Sequence, residues 1–491
     1  MKEKKLNLFL LITLIVGTII GGGIFNSPTD LILKANPMAA LIAWLIGGFG
    51  ILMLVLVFYK LSVVKPEMNG GIYTYAKEGF GNYIGFNSFW GYWMGAVFGN
   101  IAFISLFFKT LNSMLGTHQL SPLMCFIGGS IILWGYTAIT WFGVREASIL
   151  NAIITIIKIL PLLLVVIVGV FAFQPHVFNV PDWTSILAVN QTHVPFKDQI
   201  SGAMSTIVWC FVGIEAAVSM SRRAKQPRDV GLATIISFVI VLVLYISISI
   251  IPMGILPAKE LSQTSVPLAA ALSHTALGIV GSLIIKIGLL ISLLGALLSW
   301  FMIGPEIAYV TSYDRDMPRA FKLVNRHGVP GFALIVYTII MQVCLLVLLL
   351  PQLQMAYTIA YTLAATMTLV AYLLSALYGL KLAISEKMGL GFKIIATLAS
   401  LYSVYMLVAS GLEYVFASAI IFALGIPLFA RAPNKMSKKE KWLATIIALA
   451  AVIALMLIIT GKINFKKLKG IRLEGIFIFL QSHPFLYSNL R

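Results

Sequence analysis

Charged side chains are scarce in this sequence: they make up 11% of the 491 residues, and aspartate and glutamate together number 17. A soluble chain of this length needs much more polar surface to cover its core, so a soluble globular protein is excluded. Hydrophobic residues reach 60%, and the mean hydropathy is +0.97. This composition predicts an all-α polytopic membrane protein whose apolar surface contacts the lipid bilayer.

Cysteine and histidine are also rare. The three cysteines lie in apolar segments, and none of the six histidines stands at metal-ligand spacing from a carboxylate or a second histidine. The sequence contains neither a G-x-x-x-x-G-K-[ST] loop for nucleotides nor an H-E-x-x-H metal motif. We therefore expect no cofactor, no metal site and no enzymatic activity.

Apolar runs of about 20 residues or more dominate the chain, and each is long enough to cross a bilayer. Twelve such segments lie near residues 8–33, 38–64, 84–113, 122–143, 149–174, 201–221, 231–256, 280–312, 330–350, 353–380, 391–409 and 411–430. A thirteenth candidate covers 441–461. The sequence thus predicts 12–13 transmembrane helices: a twelve-helix transporter core over 1–435, a further helix within 436–461, and a basic tail of unknown role over 462–491.

Lysine and arginine outnumber acidic residues by 35 to 17, and their positions in the loops explain this excess. If the N-terminus is cytoplasmic, the outer loops before the thirteenth segment hold only Lys34, Lys197 and Lys259. The inner loops hold many more, as the positive-inside rule requires. The charge pattern therefore predicts a multi-pass protein of the inner or plasma membrane, and it excludes nucleic acid as a partner.

The first apolar segment contains three consecutive glycines, Gly21, Gly22 and Gly23, at its centre. Glycine is a poor helix former, and irregular backbone at membrane depth is tolerated only where it lines a protein-enclosed cavity. Secondary transporters use such broken helices to bind substrates through half-helix ends. We therefore predict a break here. Close helix packing through small residues is the alternative reading.

The sixth segment carries Glu215 near its centre, beside Gly213. A carboxylate at that depth is costly and usually faces a functional cavity, although a structural hydrogen bond to a neighbouring helix is the alternative. Segments 1 and 6 lie five helices apart. This spacing predicts a LeuT-like 5+5 inverted repeat, over about residues 8–174 and 201–380, in which helices 1 and 6 are both broken.

Several motifs resemble those of the amino acid–polyamine–organocation transporters, and within them the basic amino-acid/polyamine antiporters. They are GGGIF at 21–25, NGGIYTYAKEGFG at 69–81, GNIA at 99–102, WCFVGIE at 209–215, SWFMIGPE at 299–306 and DRDMP at 314–318. The resemblance covers about residues 5–461 and implies a secondary antiporter. Related antiporters are often dimers, so it also implies a homodimer.

The resemblance implies a role for each matching residue. The substrate carboxylate would be bound by the amides around Gly21, Gly22 and Gly23, and its α-ammonium by the carbonyls of Ile19, Trp209 and Val212. Trp209 would also form a gate over the substrate. The substrate side chain would contact Asn100 and Trp300, whose ring can stack on a guanidinium or ammonium group. Gly22 stands where several relatives carry serine, so one hydroxyl contact would be missing.

Four further residues are candidates for gating or coupling. Tyr92 matches a tyrosine near the pocket, and Glu215 would link gating to the substrate or a proton. Lys158, in segment 5, matches a lysine that replaces a sodium ion in sodium-independent relatives; a lysine that reaches the inner interface is the alternative. Glu306 adds an acidic group near the pocket, which favours a cationic substrate, or it faces the inner vestibule instead.

The first hypothesis is an antiporter that exchanges a cationic amino acid, such as arginine, for ornithine or agmatine. Histidine–histamine exchange, tyrosine–tyramine exchange and proton-coupled uptake are alternatives within the same class. A membrane nutrient sensor is a more distant alternative. It would usually carry a cytoplasmic extension, whereas the inner loops of this chain are short.

Overall fold

The computed structural model describes residues 5–68, 70–349 and 353–460. The first half of the chain forms helices α1 (Leu8–Ile19), α2 (Gly22–Ile32), α3 (Pro37–Val64), α4 (Ile72–Phe80), α5 (Asn82–Leu115), α6 (Pro122–Trp141), α7 (Val144–Ala172) and α8 (Pro175–Phe178). A short antiparallel hairpin follows, made of β1 (Ile186–Leu187) and β2 (Thr192–His193).

The second half begins with a helix that is also interrupted. Its helices are α9 (Phe196–Phe211), α10 (Ala216–Ser219), α11 (Pro227–Ile250), α12 (Ala258–Gln263), α13 (Pro267–Ser273), α14 (Gly278–Tyr313), α15 (Gly331–Cys344), α16 (Leu353–Ser385), α17 (Leu390–Ala409), α18 (Leu412–Ala430) and α19 (Lys438–Ile459). Four short 3₁₀ turns connect them, at Ser221–Arg223, Ile251–Gly254, Arg319–Lys322 and Leu345–Leu349.

Twelve helical spans within the described ranges are long and apolar enough to cross a membrane, with α1 and α2 counted together as one. The predicted sixth segment is not among them, because its halves α9 and α10 have 16 and 4 residues. The thirteenth candidate forms α19. The all-α polytopic membrane fold is thereby confirmed, and the predicted basic tail, 462–491, lies outside the described residues.

Helix ends follow the local sequence. The Asn7 side chain accepts a hydrogen bond from the Leu10 amide and caps α1, and proline begins α3, α6 and α11, where its missing N–H costs nothing. Ser437 and Glu440 form a reciprocal capping box at the start of α19. Between α4 and α5, Gly81 adopts a φ of 100°, which permits the sharp turn between these helices.

The helices form an inner group and an outer group. The halves of the two interrupted helices pack among α3, α7, α11, α14 and α16, and α5 and α16 run along each other. The outer helices, by contrast, expose large apolar side chains such as Ile131 on α6, Phe171 on α7, Leu424 on α18 and Trp442 on α19. Exposed apolar surface of this kind is typical of helices that contact lipid, so a transport site belongs in the buried inner group.

Candidate substrate site

The first interrupted helix, hereafter helix 1, breaks at Ile20 and Gly21. Its first half, α1, ends at Ile19, and α2 starts at Gly22 with no side-chain cap from any described residue. The first backbone N–H groups of α2 therefore have no partner within the helix, and they lie at the positive end of the helix dipole. This geometry can bind a carboxylate.

Close packing explains why this break is made of glycines. A Cβ atom at Gly21 would stand 2.8 Å from the Phe103 ring, and one at Gly22 would stand 2.4 Å from Leu106 Cδ2. A Cβ atom at Gly23 would stand 2.8 Å from the indole of Trp209. Trp209 thus rests directly on the backbone at the start of α2.

The second interrupted helix, hereafter helix 6, breaks between Phe211 and Ala216. Gly213 has a φ of 111°, which residues with a side chain rarely adopt. A Cβ atom there would also lie 2.9 Å from Thr18 Cβ. The Thr18 hydroxyl donates a hydrogen bond to the Gly213 carbonyl at 3.1 Å. The two breaks therefore touch at the centre of the protein.

A small cavity lies at this junction. Its volume is about 10 Å³, room for a single water molecule, and its walls are Thr18, Ile19, Gly23, Gly95, Gly99, Phe103, Trp209, Val212 and Trp300. Five of the predicted substrate-binding residues are among them. Because the cavity is too small for an amino acid, side chains must move before a substrate can enter.

Aromatic rings enclose this cavity. Trp209 packs against Phe103 at a ring distance of 5.7 Å and against Tyr361 at 5.8 Å. On the other side, Trp300 packs against Tyr92 at 5.7 Å. A cation that enters between them could lie over a ring face of tryptophan, the aromatic side chain that binds cations best.

Three of the predicted binding residues lie beside the cavity rather than in its wall. Gly21 and Gly22 form the helix break behind it. The Asn100 amide donates to the Tyr337 hydroxyl at 3.1 Å and to Met341 Sδ at 3.3 Å, one residue beyond the wall residue Gly99. Asn100 therefore supports the wall in this conformation.

Four wall residues were not predicted from the sequence: Thr18, Gly95, Gly99 and Phe103. Gly95 and Gly99 are four residues apart on α5, a spacing that places both on one face of the helix. That spacing was the available signal, since a glycine face lets another helix or a ligand approach closely. Nothing comparable distinguishes Phe103 from the other phenylalanines of α5.

The carbonyl of Ile19 accepts a hydrogen bond from the Tyr245 hydroxyl at 2.7 Å. It also accepts a hydrogen bond from the Gly21 amide at 2.8 Å, so both of its lone pairs are engaged in this conformation. Lys158 is fully buried and does not reach the inner interface. Its ammonium group donates to the carbonyls of Gly17 at 2.7 Å and Ile20 at 2.6 Å, at the end of α1.

Glu215 lies in the break of helix 6 and is completely buried. Its Oε2 atom accepts hydrogen bonds from the Gly213 amide, at 3.1 Å, and from the Tyr372 hydroxyl. Tyr92 also interacts electrostatically with this carboxylate. Glu215 thus connects the helix 6 break with α16 and with the tyrosine that packs on Trp300.

The structure places Glu306 away from the cavity, in contact with two arginines. Arg222 approaches its Oε1 atom at 2.5 Å, and Arg223 approaches its Oε2 atom at 2.9 Å. Arg222 also lies 4.6 Å from the ring centroid of Tyr309. Both carboxylate oxygens are thus engaged, so Glu306 contributes no acidic group to the cavity in this conformation. It joins the segment after helix 6 to α14.

A second ionic network lies at the same end of the molecule. Lys77 contacts the buried carboxylate of Asp316 at 2.8 Å, and the Tyr73 hydroxyl donates to that carboxylate at 2.7 Å. The side-chain amide of Asn434 donates to its other oxygen at 2.7 Å. Burial raises the pKa of the neighbouring Asp314 carboxyl, and the Lys77 ammonium opposes this shift. These contacts fasten the α4–α5 hairpin to the end of α14.

The residues before helix 1 close this end further. The amide of Leu6 donates to the Arg223 carbonyl, and the Lys225 amide donates to the Leu6 carbonyl, both at 2.7 Å. Lys5 Nζ donates to the Arg222 carbonyl at 2.5 Å. The chain before helix 1 is therefore fixed to the segment that follows helix 6.

Comparisons with known proteins agree with this architecture. Residues 6–412 match the family model described as amino acid permease. An arginine/ornithine antiporter of Pseudomonas aeruginosa is 36% identical over 472 residues, which is 92% of this chain and 97% of that protein. An arginine/agmatine antiporter of Chlamydia pneumoniae is 34% identical over 479 residues, or 94% of this chain and 98% of that protein.

The broken helices, the enclosed cavity and the apolar exterior define a multi-pass membrane permease. With a family match over 407 residues (412 − 6 + 1) and relatives aligned along most of its length, the chain belongs to the amino acid permease family.

Proposed function

We propose that this permease is an amino-acid antiporter that exchanges arginine for ornithine or agmatine. The named relatives, arginine/ornithine and arginine/agmatine antiporters, support this substrate class. The observation that carries the proposal is the junction of the two helix breaks. It combines uncapped amides, carbonyl ends and tryptophan rings around one cavity, and these groups complement the carboxylate, α-ammonium and side-chain cation of arginine.

In this proposal, the substrate carboxylate binds the amides around Gly21, Gly22 and Gly23, where Trp209 now rests. The α-ammonium binds the carbonyls of Ile19, Trp209 and Val212. The guanidinium group extends towards Trp300 and Asn100. Substrate entry therefore requires Trp209 to leave its contact with Gly23, and its return closes the site over the bound amino acid.

Alternating access requires one side to open while the other stays closed. We assign the Glu306–Arg222–Arg223 cluster to the cytoplasmic side, because the lysine-rich and arginine-rich loops lie there, and the N-terminus with them. Its ion pairs and the Lys77–Asp316 pair hold this side closed. On the substrate side of the cluster, Trp300 packs on Tyr92, and Tyr92 interacts with Glu215 in the helix 6 break. A movement of Trp300 would therefore move helix 6.

The Lys158 contacts support a sodium-independent mechanism. Its ammonium group occupies the carbonyl end of α1, where a bound cation would otherwise hold helix 1. The contact between the two helix breaks at one site supports the 5+5 inverted repeat. The twelve-helix core with α19 as an additional helix, and a homodimer, stay predictions.

Counterflow in proteoliposomes tests the proposed function. Vesicles that contain the purified protein are loaded with unlabelled ornithine, agmatine or arginine, and the entry of labelled arginine is followed. We expect rapid entry into loaded vesicles and little entry into empty ones. Entry that occurs only with histamine or tyramine loaded, for labelled histidine or tyrosine, would contradict the cationic substrate. Entry into empty vesicles driven by a pH gradient would contradict exchange.

A further inference from the structure

A buried carboxylate in the outer half of helix 1 has no part in the site described so far. Asp30 lies on α2, about two helical turns beyond the break, and is 5% exposed. Its Oδ1 atom accepts a hydrogen bond from the Asn26 side-chain amide at 2.8 Å. Its Oδ2 atom has no hydrogen-bond partner among the described residues. A buried charge with an unused oxygen is costly.

Two more unpaired oxygens accompany this carboxylate. The Asn26 side-chain carbonyl and the Tyr357 hydroxyl are both buried and, within the described ranges, lack a hydrogen-bond partner. Asn26 and Asp30 are four residues apart on one face of α2. Tyr357 interacts electrostatically with Asp30. The Asn26–Asp30 hydrogen bond and the electrostatic interaction of Tyr357 with Asp30 connect these three residues, hereafter the outer oxygen cluster (Asn26, Asp30 and Tyr357). Leaving a buried oxygen unpaired costs about 1–3 kcal/mol.

The outer oxygen cluster lies next to the aromatic cover of the central cavity. Tyr357 packs on Tyr361 at a ring distance of 5.0 Å, and Tyr361 packs on Trp209 at 5.8 Å. A substrate that enters from the outer side must displace these rings before it reaches Gly23. The cluster is therefore positioned on the route between the outer surface and the cavity.

We propose that the outer oxygen cluster is a binding site for the side-chain cation of the substrate on its way to the central cavity. This inference rests on the proposed function, because it requires a substrate with a guanidinium or a primary ammonium group. A guanidinium group offers five N–H donors in a planar fork, and an ammonium group offers three. Either can satisfy the unpaired oxygens of Asp30, Asn26 and Tyr357 when the rings move apart.

Neighbouring lysines keep the binding at this site weak. Asp30 interacts electrostatically with Lys34 and Lys109, and the Lys34 ammonium is held by the hydroxyls of Ser205 at 3.0 Å and Thr206 at 3.1 Å. The two positive charges lower the affinity for a third cation, whereas Asp30 Oδ2 has no hydrogen-bond partner among the described residues. Weak binding suits a site on a transport route, because the substrate must leave it as readily as it enters.

The Asp30→Asn variant tests this inference, since asparagine keeps the size and removes the charge. Exchange against internal ornithine is measured at varied external arginine, with external citrulline, a neutral analogue, as a competitor. We expect the KM for arginine to rise about tenfold, with the maximal rate changed less than twofold and the inhibition constant of citrulline unchanged. Asp198→Asn is the matched control, because it removes an exposed charge near the same surface.

Tyr357→Phe provides a second variant, in case Asp30→Asn does not fold. It removes one hydroxyl oxygen, and we expect a smaller rise in the KM for arginine, about threefold. An unchanged KM in the folded variants, or equal losses for arginine and citrulline, would overturn the inference. If replacing sodium by N-methylglucamine alters the KM of the wild type but not of Asp30→Asn, the cluster binds an inorganic cation, and the inference is also overturned.

The substrate preference of the wild-type protein distinguishes a failure of this inference from a failure of the proposed function. A wild type that does not prefer arginine to citrulline would contradict the proposed function itself. A wild type that prefers arginine, together with an Asp30→Asn variant that keeps the full preference, would contradict the outer site alone.

Discussion

The ammonium group of Lys158 lies 2.6 Å from the carbonyl oxygen of Ile20, at the point where the first half of helix 1 ends. The same group reaches the Gly17 carbonyl at 2.7 Å, so one buried cation binds two carbonyl oxygens that the break leaves without helical partners. Through this contact, α7 determines the position of the helix break that borders the cavity.

Replacing Lys158 is therefore expected to disturb the proposed substrate site, because it removes the contact that positions the helix 1 break. We predict that Lys158→Met lowers exchange by at least about 100-fold, because it leaves the buried Gly17 carbonyl unpaired, at about 1–3 kcal/mol, and the Ile20 carbonyl with only the Ser292 hydroxyl as a partner. Arginine counterflow measures the loss, and a thermal unfolding scan shows whether the fold survives. Lys286→Met is the matched control, because Lys286 also lies in a membrane-spanning helix.

Sodium provides a further check on Lys158. Wild-type exchange is expected to be the same in sodium and in N-methylglucamine buffers. A wild-type rate that falls without sodium would contradict the role assigned to Lys158, as would full activity of Lys158→Met.

In our proposal, the Glu306–Arg222–Arg223 cluster controls access from the side assigned as cytoplasmic. We predict that Glu306→Gln opens this side more often, because Arg222 and Arg223 then lose their carboxylate partner. Removing one partner of a buried ion pair costs about 3–5 kcal/mol, and that cost falls on the closed conformation. Ser219, which is buried in α10, reports the opening.

The measurement is the rate at which a maleimide modifies Ser219→Cys in a background without the native cysteines. Glu306→Gln should accelerate the modification several-fold. Glu260→Gln should leave it unchanged, because Glu260 forms an exposed pair with His274. Equal modification rates with and without Glu306 would show that the cluster is not a gate.

Trp300 is expected to distinguish cationic from neutral substrates. A desolvated cation–π contact contributes about 1–2 kcal/mol, so Trp300→Leu should weaken arginine binding about 5- to 30-fold. Trp300→Phe keeps a smaller ring and should lose less. Isothermal titration calorimetry with arginine and citrulline measures the difference, with the exposed Trp134→Leu on α6 as control. Parallel losses for both ligands would assign Trp300 a packing role only.

The sequence was informative wherever a residue type conflicts with its surroundings. Three glycines within an apolar segment predicted the break of helix 1, and Glu215 beside Gly213 predicted that of helix 6, because neither pattern suits an uninterrupted membrane helix. The twelve apolar helices followed from hydropathy alone. Lys158 was identifiable for the same reason, as an ammonium within an otherwise apolar run.

Partners across the fold were not predictable in this way. Glu306 lies six residues after Trp300, yet its side chain meets Arg222 and Arg223, which are more than 80 residues away in sequence. The neighbours that a residue on the long helix α14 contacts depend on how this helix packs against α5 and on the turn after α10. Hydropathy does not encode either of these. Phe103 and Thr18 join the cavity wall for the same reason.

The central claim is that the amino acid binds at the helix 1 break under Trp209, and the Gly23→Ala variant tests it most directly. The added Cβ atom would stand 2.8 Å from the indole of Trp209, whereas a Cβ atom at Gly135, also in a membrane helix, meets no described atom within 4 Å. Binding of labelled arginine to the purified variants is measured at equilibrium. We predict a loss of at least about tenfold for Gly23→Ala and none for Gly135→Ala. Unchanged arginine affinity in a folded Gly23→Ala protein would contradict the claim.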